Sequence, residues 1–340
     1  MKMKRKGILF SVITLLVLVA ISGCTLVNKK FVVSTSVTNW GDEQSILTDF
    51  GQKNHLNMKV QNGSETKRLK TIKGTDVVEL SQINAVRGNS EGLFKKLDFK
   101  KLHNFKYLSE SQQQLARTTN SIPYTMQSVE LAYDPDVVDD ISFTVDLWNR
   151  DLVKSLAIPN LSSSLGPAMI YVGDGYYKYR STSSYVGHGL GNRGELAFAA
   201  LGKLKPYTRS YQSTSEVVKL FKEKKIAVAV ISSSAEKQIK AKLPKLTVVV
   251  PGDMYNVANY QMLSIPKDSK NEDLSYKYID YCLKKSVQKQ MFELTNETPV
   301  RSGVIEKKGY NPDAVITITD LPEQLPNFDS WQKQWKQIFE

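Results

Sequence analysis

Residues 31–81 decide the fold. They read Phe31-Val32-Val33-Ser34-Thr35-Ser36, then a segment opening at Asp42 with Ile46, Leu47 and Phe50, then Met58-Lys59-Val60-Gln61, Glu65–Lys73, and Asp76-Val77-Val78-Glu79-Leu80-Ser81. The first, third and fifth pieces are short, apolar and β-branched, which is strand composition. Between them, Ile46, Leu47 and Phe50 recur at helical spacing behind a capping Asp42, and Glu65–Lys73 is a short basic helix stopped by Gly74. Such strand–helix alternation predicts a parallel sheet with helices on its faces, an α/β fold. Ligands of these sheets sit beyond the carboxyl ends of the strands, where Trp40 and Ser81 fall.

Upstream, Lys2, Lys4, Arg5 and Lys6 precede a charge-free apolar run, Ile8–Ile21, closed by Ser22-Gly23-Cys24. A basic start, an apolar run short of the ~20 residues that span a bilayer, and small residues at the end are the anatomy of an export signal. Ile21-Ser22-Gly23-Cys24 also resembles the bacterial lipobox. That resemblance implies removal of residues 1–23, a lipid on Cys24, a tether over residues 24–30, and a body anchored outside the plasma membrane.

With 340 residues, 41% of them hydrophobic, the chain has material for two domains. The formal net charge is +12, but four cations lie in the signal. The others are spread over stretches such as Phe221–Lys225 and Lys237–Lys245, which read as solvated helix faces beside an anionic membrane. No nucleic-acid partner is expected. Cys282 lies in an apolar helical pattern and reads as a small buried hydrophobe; with Cys24 lipidated, no internal disulfide can form. His55, His103 and His188 have no metal-ligand spacing, so neither metal nor cofactor is expected.

Alternation continues downstream. Strands are expected at Val129–Tyr133, Leu156–Pro159, Ala227–Ile231, Thr247–Val250 and Met262–Ile265. Helices are expected from Phe143, over Gly166–Val172, Glu195–Leu204, Ser215–Glu223, Ala235–Lys242, Ser275–Leu283 and Ser286–Phe292, and over an amphipathic Ser330–Phe339. The run from Leu97 to Ser121 reads as loop.

Gly189-Leu190-Gly191-Asn192-Arg193-Gly194 matches GxGxxG, but no substantial strand precedes it, so it reads as a glycine-rich loop rather than a dinucleotide site. There is no GxSxG elbow, HExxH, P-loop or CxxC, and the chain is not expected to be an enzyme. A hydrolase would need a nucleophile–base pair, for which His188 beside a serine and an acid is the arrangement to look for. What recurs is a hydroxyl or amide directly after a strand: Ser81-Gln82, Ser162-Ser163-Ser164 and Ser232-Ser233-Ser234. Helix capping accounts for each cluster singly. Gathered on one side of two sheets, they would line a cleft whose helix N-termini attract polar or anionic groups.

Asn39-Trp40, Thr75-Asp76-Val77-Val78, Glu91–Asp98, Ser121-Ile122-Pro123-Tyr124, Asp146-Leu147-Trp148, Leu263-Ser264-Ile265-Pro266 and Thr298-Pro299-Val300 resemble, in order, the extracellular solute-binding proteins of ABC importers, the spermidine/putrescine-binding group above all. The resemblance implies a two-lobed periplasmic-binding-protein fold closing on a small-molecule ligand and docking on the transmembrane subunits of an ABC permease. Lobe one would hold residues 31–127 plus 259–298, and lobe two residues 128–258 plus 299–340. Taken with the strand-end clusters above, the expected cleft is lined by Trp40, Ser81, Gln82, Ser162, Ser163, Ser164, Ser232, Ser233, Asn259, Tyr260 and Gln261. This chain departs from the group's pattern. Ile83 and Met126 stand where aromatics are usual, Leu161 and Ser164 replace an acidic pair, Ile231 replaces a tryptophan, and Asn259 and Gln261 replace a tryptophan and an aspartate. A buried dication without counter-charges is costly, so the expected ligand is a neutral or anionic polar solute rather than a polyamine. The alternative is a surface interaction module that kept the fold without transport.

Overall fold

The computed structural model describes residues 29–35, 44–180, 190–252, 256–305, 315–318 and 320–340. Cys24, Trp40 and His188 lie outside them, and so do the expectations that rest on those residues.

The strands in chain order are β1 (Lys29–Ser34), β2 (Leu56–Gln61), β3 (Val77–Ser81), β4 (Ser121–Tyr133), β5 (Leu156–Pro159), β6 (Thr208–Tyr211), β7 (Val228–Ser232), β8 (Thr247–Val249), β9 (Asn256–Ser264), β10 (Thr298–Pro299) and β11 (Val315–Thr317). As expected, β1 pairs in parallel with both β2 and β3. The full order is β2-β1-β3-β9-β4-β7-β5-β6, with β8 and β10 also on β4 and β11 on β9.

Two long strands carry this sheet from one core to another. The first part of β4, through Ser128, pairs antiparallel with β9, whereas Val129–Tyr133 pairs with β7. Strand β9 in turn joins β3. Pro123, which has no N–H to give a ladder, sits at the register shift between Pro123 and Thr125, where its missing donor costs little.

The first core gathers Phe31, Val33, Phe50, Leu80, Tyr124, Tyr260, Met262 and Tyr278, with Cys282 buried among them. The second is split by its sheet. Val228 and Val230 of β7 join Leu131, Leu156, Ile158, Met169 and Trp335 on one face; Ala229 and Ile231 join Phe221 and Ile239 on the other. Period-two alternation in β7 thus buries both faces, each covered by helices. At roughly 25 cal/mol per Å² of apolar area, each fully buried Val or Ile in these layers contributes about 1.5–3 kcal/mol.

Besides the single turn Leu321–Gln324, two longer helices fall where the sequence reading placed none. Glu110–Thr119 is launched by a capping box, Ser109 with Gln112, and only Leu115 and Ala116 of its apolar residues are buried, too thin a stripe to stand out. Gln82–Ser90 is divided between environments: Ala85 packs in the first core, while Ile83 and Val86 pack with Phe328 and Trp331 of the C-terminal helix Phe328–Phe339. Arg87 lies over the Phe328 ring, 4.7 Å from its centroid, which holds that helix to the first core's periphery.

The glycine-rich loop packs against this C-terminal segment. Leu190 N–H donates to Asp320 at 2.7 Å and Gln324 Nε2 to the Gly191 carbonyl at 2.9 Å. A Cβ on Gly194 would come within 2.9 Å of the Trp331 ring, so the glycine serves close packing. Among the described residues no helix is long and apolar enough to cross a membrane.

Candidate functional site

The strand crossing builds a polar row. Directly opposed residues of paired strands point to the same face, and Ser81 opposes Gln261, Gln261 opposes Thr125, and Asn259 opposes Gln127. One face of three neighbouring strands therefore presents Ser81, Gln261, Asn259, Thr125 and Gln127. Tyr260 and Met126, one step out of phase, belong to the first core. This corrects the expectation that Tyr260 lines the cleft with its neighbours, since period two separates it from Asn259 and Gln261.

Glu297, immediately before β10, sits on the same face. Its carboxylate accepts from Thr125 Oγ1 at 2.5 Å and Gln127 Nε2 at 2.7 Å. Burial pushes its carboxyl up to about 7, aided by the charge of Glu79 from β3 and opposed by the two hydrogen bonds. Glu79 itself accepts from Thr35 Oγ1 at the carboxyl end of β1.

The other core reaches into this row through one turn. Ser164 Oγ donates to Gln127 Oε1 at 3.3 Å, and Asn259 Nδ2 donates to the Ser164 carbonyl. That turn folds back tightly: a Cβ on Gly166 would lie 2.2 Å from the Asn160 carbonyl oxygen, so only glycine fits. Within it Ser162 and Ser163 are already engaged, Ser162 Oγ with Asn160 Oδ1 at 2.6 Å and Ser163 Oγ with the Asn160 carbonyl at 2.7 Å. Theirs is the bonding of an Asx turn rather than of a hydroxyl held toward a cleft.

Elsewhere the predicted residues serve as ties. Ser81 is fully buried, with its hydroxyl donating to Glu65 at 2.6 Å. Gln82 spends both ends, Nε2 on the Ile318 carbonyl and Oε1 on the Tyr260 N–H. Changing Gln82 to Ala would strand two buried backbone groups, so a loss of about 1–3 kcal/mol is expected. A urea midpoint that falls at unchanged m value is the readout. Ser233 Oγ accepts from the Ser128 N–H at 3.3 Å, and its carbonyl accepts from Asn296 at 3.1 Å, a second bridge between the cores. Ser232 pairs with Ser234 at 2.9 Å.

Three buried atoms of the row have no hydrogen-bond partner: Gln261 Nε2, Gln261 Oε1 and Asn259 Oδ1. Gln261 is 0% and Asn259 1% exposed. Unmade hydrogen bonds in so dry a place cost about 1–3 kcal/mol per group, which a bound polar molecule would recover. The structure thus brings Ser81, Ser164, Asn259 and Gln261 into one neighbourhood, and adds Thr125, Gln127 and Glu297. Sequence reading missed these three. Their one available signal was position, Gln127 at the expected lobe boundary and Glu297 beside the Thr298-Pro299 turn.

Residues 45–317 match the family described as bacterial extracellular solute-binding protein, and the chain belongs to that family. It is 24% identical over 313 residues to the putrescine-binding periplasmic protein SpuD of Pseudomonas aeruginosa, covering 79% of this chain and 81% of that one. Among solved structures, an ABC transporter from Clostridium perfringens aligns at 27% identity with a TM-score of 0.73 over 91% of this chain and all of its own. The spermidine/putrescine ABC transporter substrate-binding protein PotD of Streptococcus pneumoniae aligns at 19% identity and a TM-score of 0.67, again over 91% and 100%. The fold is that of periplasmic binding proteins, and proteins of this kind bind solutes rather than transform them.

Proposed function

We propose that the chain is the substrate-binding subunit of an ABC importer, taking up a small polar solute in the row centred on Gln261 and passing it to the permease. The observation that carries this reading is the fully buried Gln261 carboxamide with neither end hydrogen-bonded, at the crossing of β4 and β9. Lobes of residues 31–127 plus 259–298 and 128–258 plus 299–340 would hinge where those strands pass between cores. A solute touching both sides of the row would stabilise the closed arrangement by its differential contacts, and the permease would read closure.

Thermal unfolding of the full chain against a panel of polar metabolites tests this. A saturating ligand should raise the midpoint, by about 2.7 kcal/mol of stabilisation at a hundredfold excess over Kd. No response anywhere in the panel would favour an interaction module instead.

Anchoring belongs to the same reading. Lipidation of Cys24 would hold the protein near its permease at high effective concentration, so that modest affinity suffices. Cys24→Ala should release the protein into the medium after fractionation; retention in the membrane pellet would point to an uncleaved apolar segment.

A further inference from the structure

Lysines gather at one edge of the first core, the edge where the chain enters it. Parallel pairing puts the amino ends of β1, β2 and β3 together, and antiparallel β9 runs out at that same edge. Lys29 and Lys30 open β1, and both are exposed. Lys73, also exposed, precedes β3, whose entry is fixed by the Asp76 N–H donating to the Val32 carbonyl at 2.8 Å. Lys267 and Lys270 stand exposed after the end of β9. Asn271 Nδ2 closes that turn onto the Lys30 carbonyl at 3.1 Å, so the segments meet.

Little negative charge offsets them. Asp76 is 5% exposed and turns its carboxylate inward, accepting from the Val32 N–H at 2.8 Å and from Ser269 Oγ at 3.1 Å. Glu272 and Asp273 are taken by Lys95 and Lys101, each at 3.0 Å. On the flanking segment, exposed Glu91 and Asp98 are matched by exposed Lys96 and Lys100. Asp268 is the remaining exposed acid of the turn. Among the described residues the edge lysines form no ion pair.

The second core has a basic surface too. Lys222 and Lys242 are exposed at the ends of the helices Thr214–Lys222 and Glu236–Lys242, beside β7 and separated from β1 by β3, β9 and β4. Charge alone does not choose between the two surfaces; the chain does. Lys29 follows Cys24 by five residues, which extend at most about 18 Å. Exposed charges are felt over about 8 Å at physiological salt, so a tether this short selects the edge at β1.

Resting on the anchoring of Cys24 argued above, we propose that the edge of Lys29, Lys30, Lys73, Lys267 and Lys270 lies on the anionic lipid headgroups of the bilayer that holds the anchor. This is the posture of the protein away from its permease. Ser81 ends β3 at the opposite edge, so the contact leaves the polar row on the side away from the lipid.

Amine acetylation read by mass spectrometry tests this on the lipoprotein purified from membranes. The vesicles are phosphatidylcholine alone, or an equimolar mixture with phosphatidylglycerol. In the mixed vesicles the edge lysines should react several-fold more slowly than in neutral ones, while Lys222 and Lys242 keep their rates, and high salt should erase the difference. Lys73→Glu combined with Lys267→Glu and Lys270→Glu should return Lys29 and Lys30 to their neutral-vesicle rates, each lost lysine weakening the contact about fivefold. Equal rates in both vesicles, protection at Lys222 and Lys242 instead, or protection that survives high salt overturns the proposal. So does soluble polyphosphate that protects the edge equally well on neutral vesicles, which would assign the surface to an anionic polymer. Flotation reports on the anchor separately. Flotation with neutral vesicles and no edge protection in mixed ones overturns this inference alone. Flotation with mixed vesicles only, the edge protected, supports the edge and overturns the anchor.

Discussion

Glu297→Gln is expected to stabilise the protein by roughly 2–3 kcal/mol at about pH 8 and to change it little at about pH 5. The carboxyl is pushed from 4.5 to about 7 because ionising it in the row means charging a group away from water, near the like charge of Glu79. In the unfolded chain the same carboxyl ionises near its ordinary value. Between the two values the folded state holds the extra proton, so Glu297 favours folding below about pH 4.5. That contribution falls as pH rises and is gone above about pH 7. Glutamine carries no charge at any of these values and can still accept from Thr125.

Urea unfolding of both proteins across this range, read as their difference, isolates the residue from every other titrating group. A difference that stays flat with pH would show that the carboxyl ionises freely and would remove the charge mismatch at the heart of the row. Stability gained by deleting a strained polar group is the usual mark of a binding site, where ligand rather than fold is satisfied.

Arg68→Met should cost about 3 kcal/mol or more at any ordinary pH. Arg68 is 1% exposed, unusual for a charged side chain, and belongs to the short helix Glu65–Lys70. Its Nε donates to the Gly63 carbonyl at 3.0 Å, and its Nη1 to the carbonyls of Ser34, at 3.1 Å, and of Glu79. One guanidinium therefore gathers the carboxyl end of β1, β3 and the loop before its own helix, on the side where Thr35 meets Glu79. Methionine matches the length but leaves the buried carbonyls of Ser34 and Glu79 and the half-buried one of Gly63 with one donor fewer each. Lysine should recover only part of the loss, since a point charge cannot fork among three acceptors. Denaturant unfolding of the two variants measures this, and a methionine variant as stable as the parent would mean that the buried charge costs what its bonds return.

Several of these features were written openly in the chain. The apolar β-branched runs at Phe31, Val77 and Ala227 become strands because such side chains fit only a pleated, buried surface, and the intervening helices follow from the spacing of Ile46, Leu47 and Phe50 and from Gly74. Parallel pairing of β1 with β2 and β3 is then the economical closure. Cys282 was legible as a buried hydrophobe for the same local reason.

The row was legible only in part. Ser81, Ser164, Asn259 and Gln261 were named, but Ser162 and Ser163 carry the same local signal and spend their hydroxyls within one turn. Local sequence reports that a hydroxyl stands after a strand; it does not report what that hydroxyl meets. Tyr260 shows the same limit from the other side, since its neighbours set the parity and the parity sends it into the core.

The sequence by itself determined the α/β class and the membership of a solute-binding family, because these depend on periodicity, composition and motif order along the chain. Tertiary structure alone decided which polar groups share a face. Ser81, Thr125, Gln261 and Glu297 stand far apart in the chain, and only antiparallel register across β3, β9 and β4 puts them together. Whether Glu297 is an ordinary surface acid or a proton-holding group in a dry row is likewise a matter of burial, which long-range packing sets and no short stretch of chain encodes.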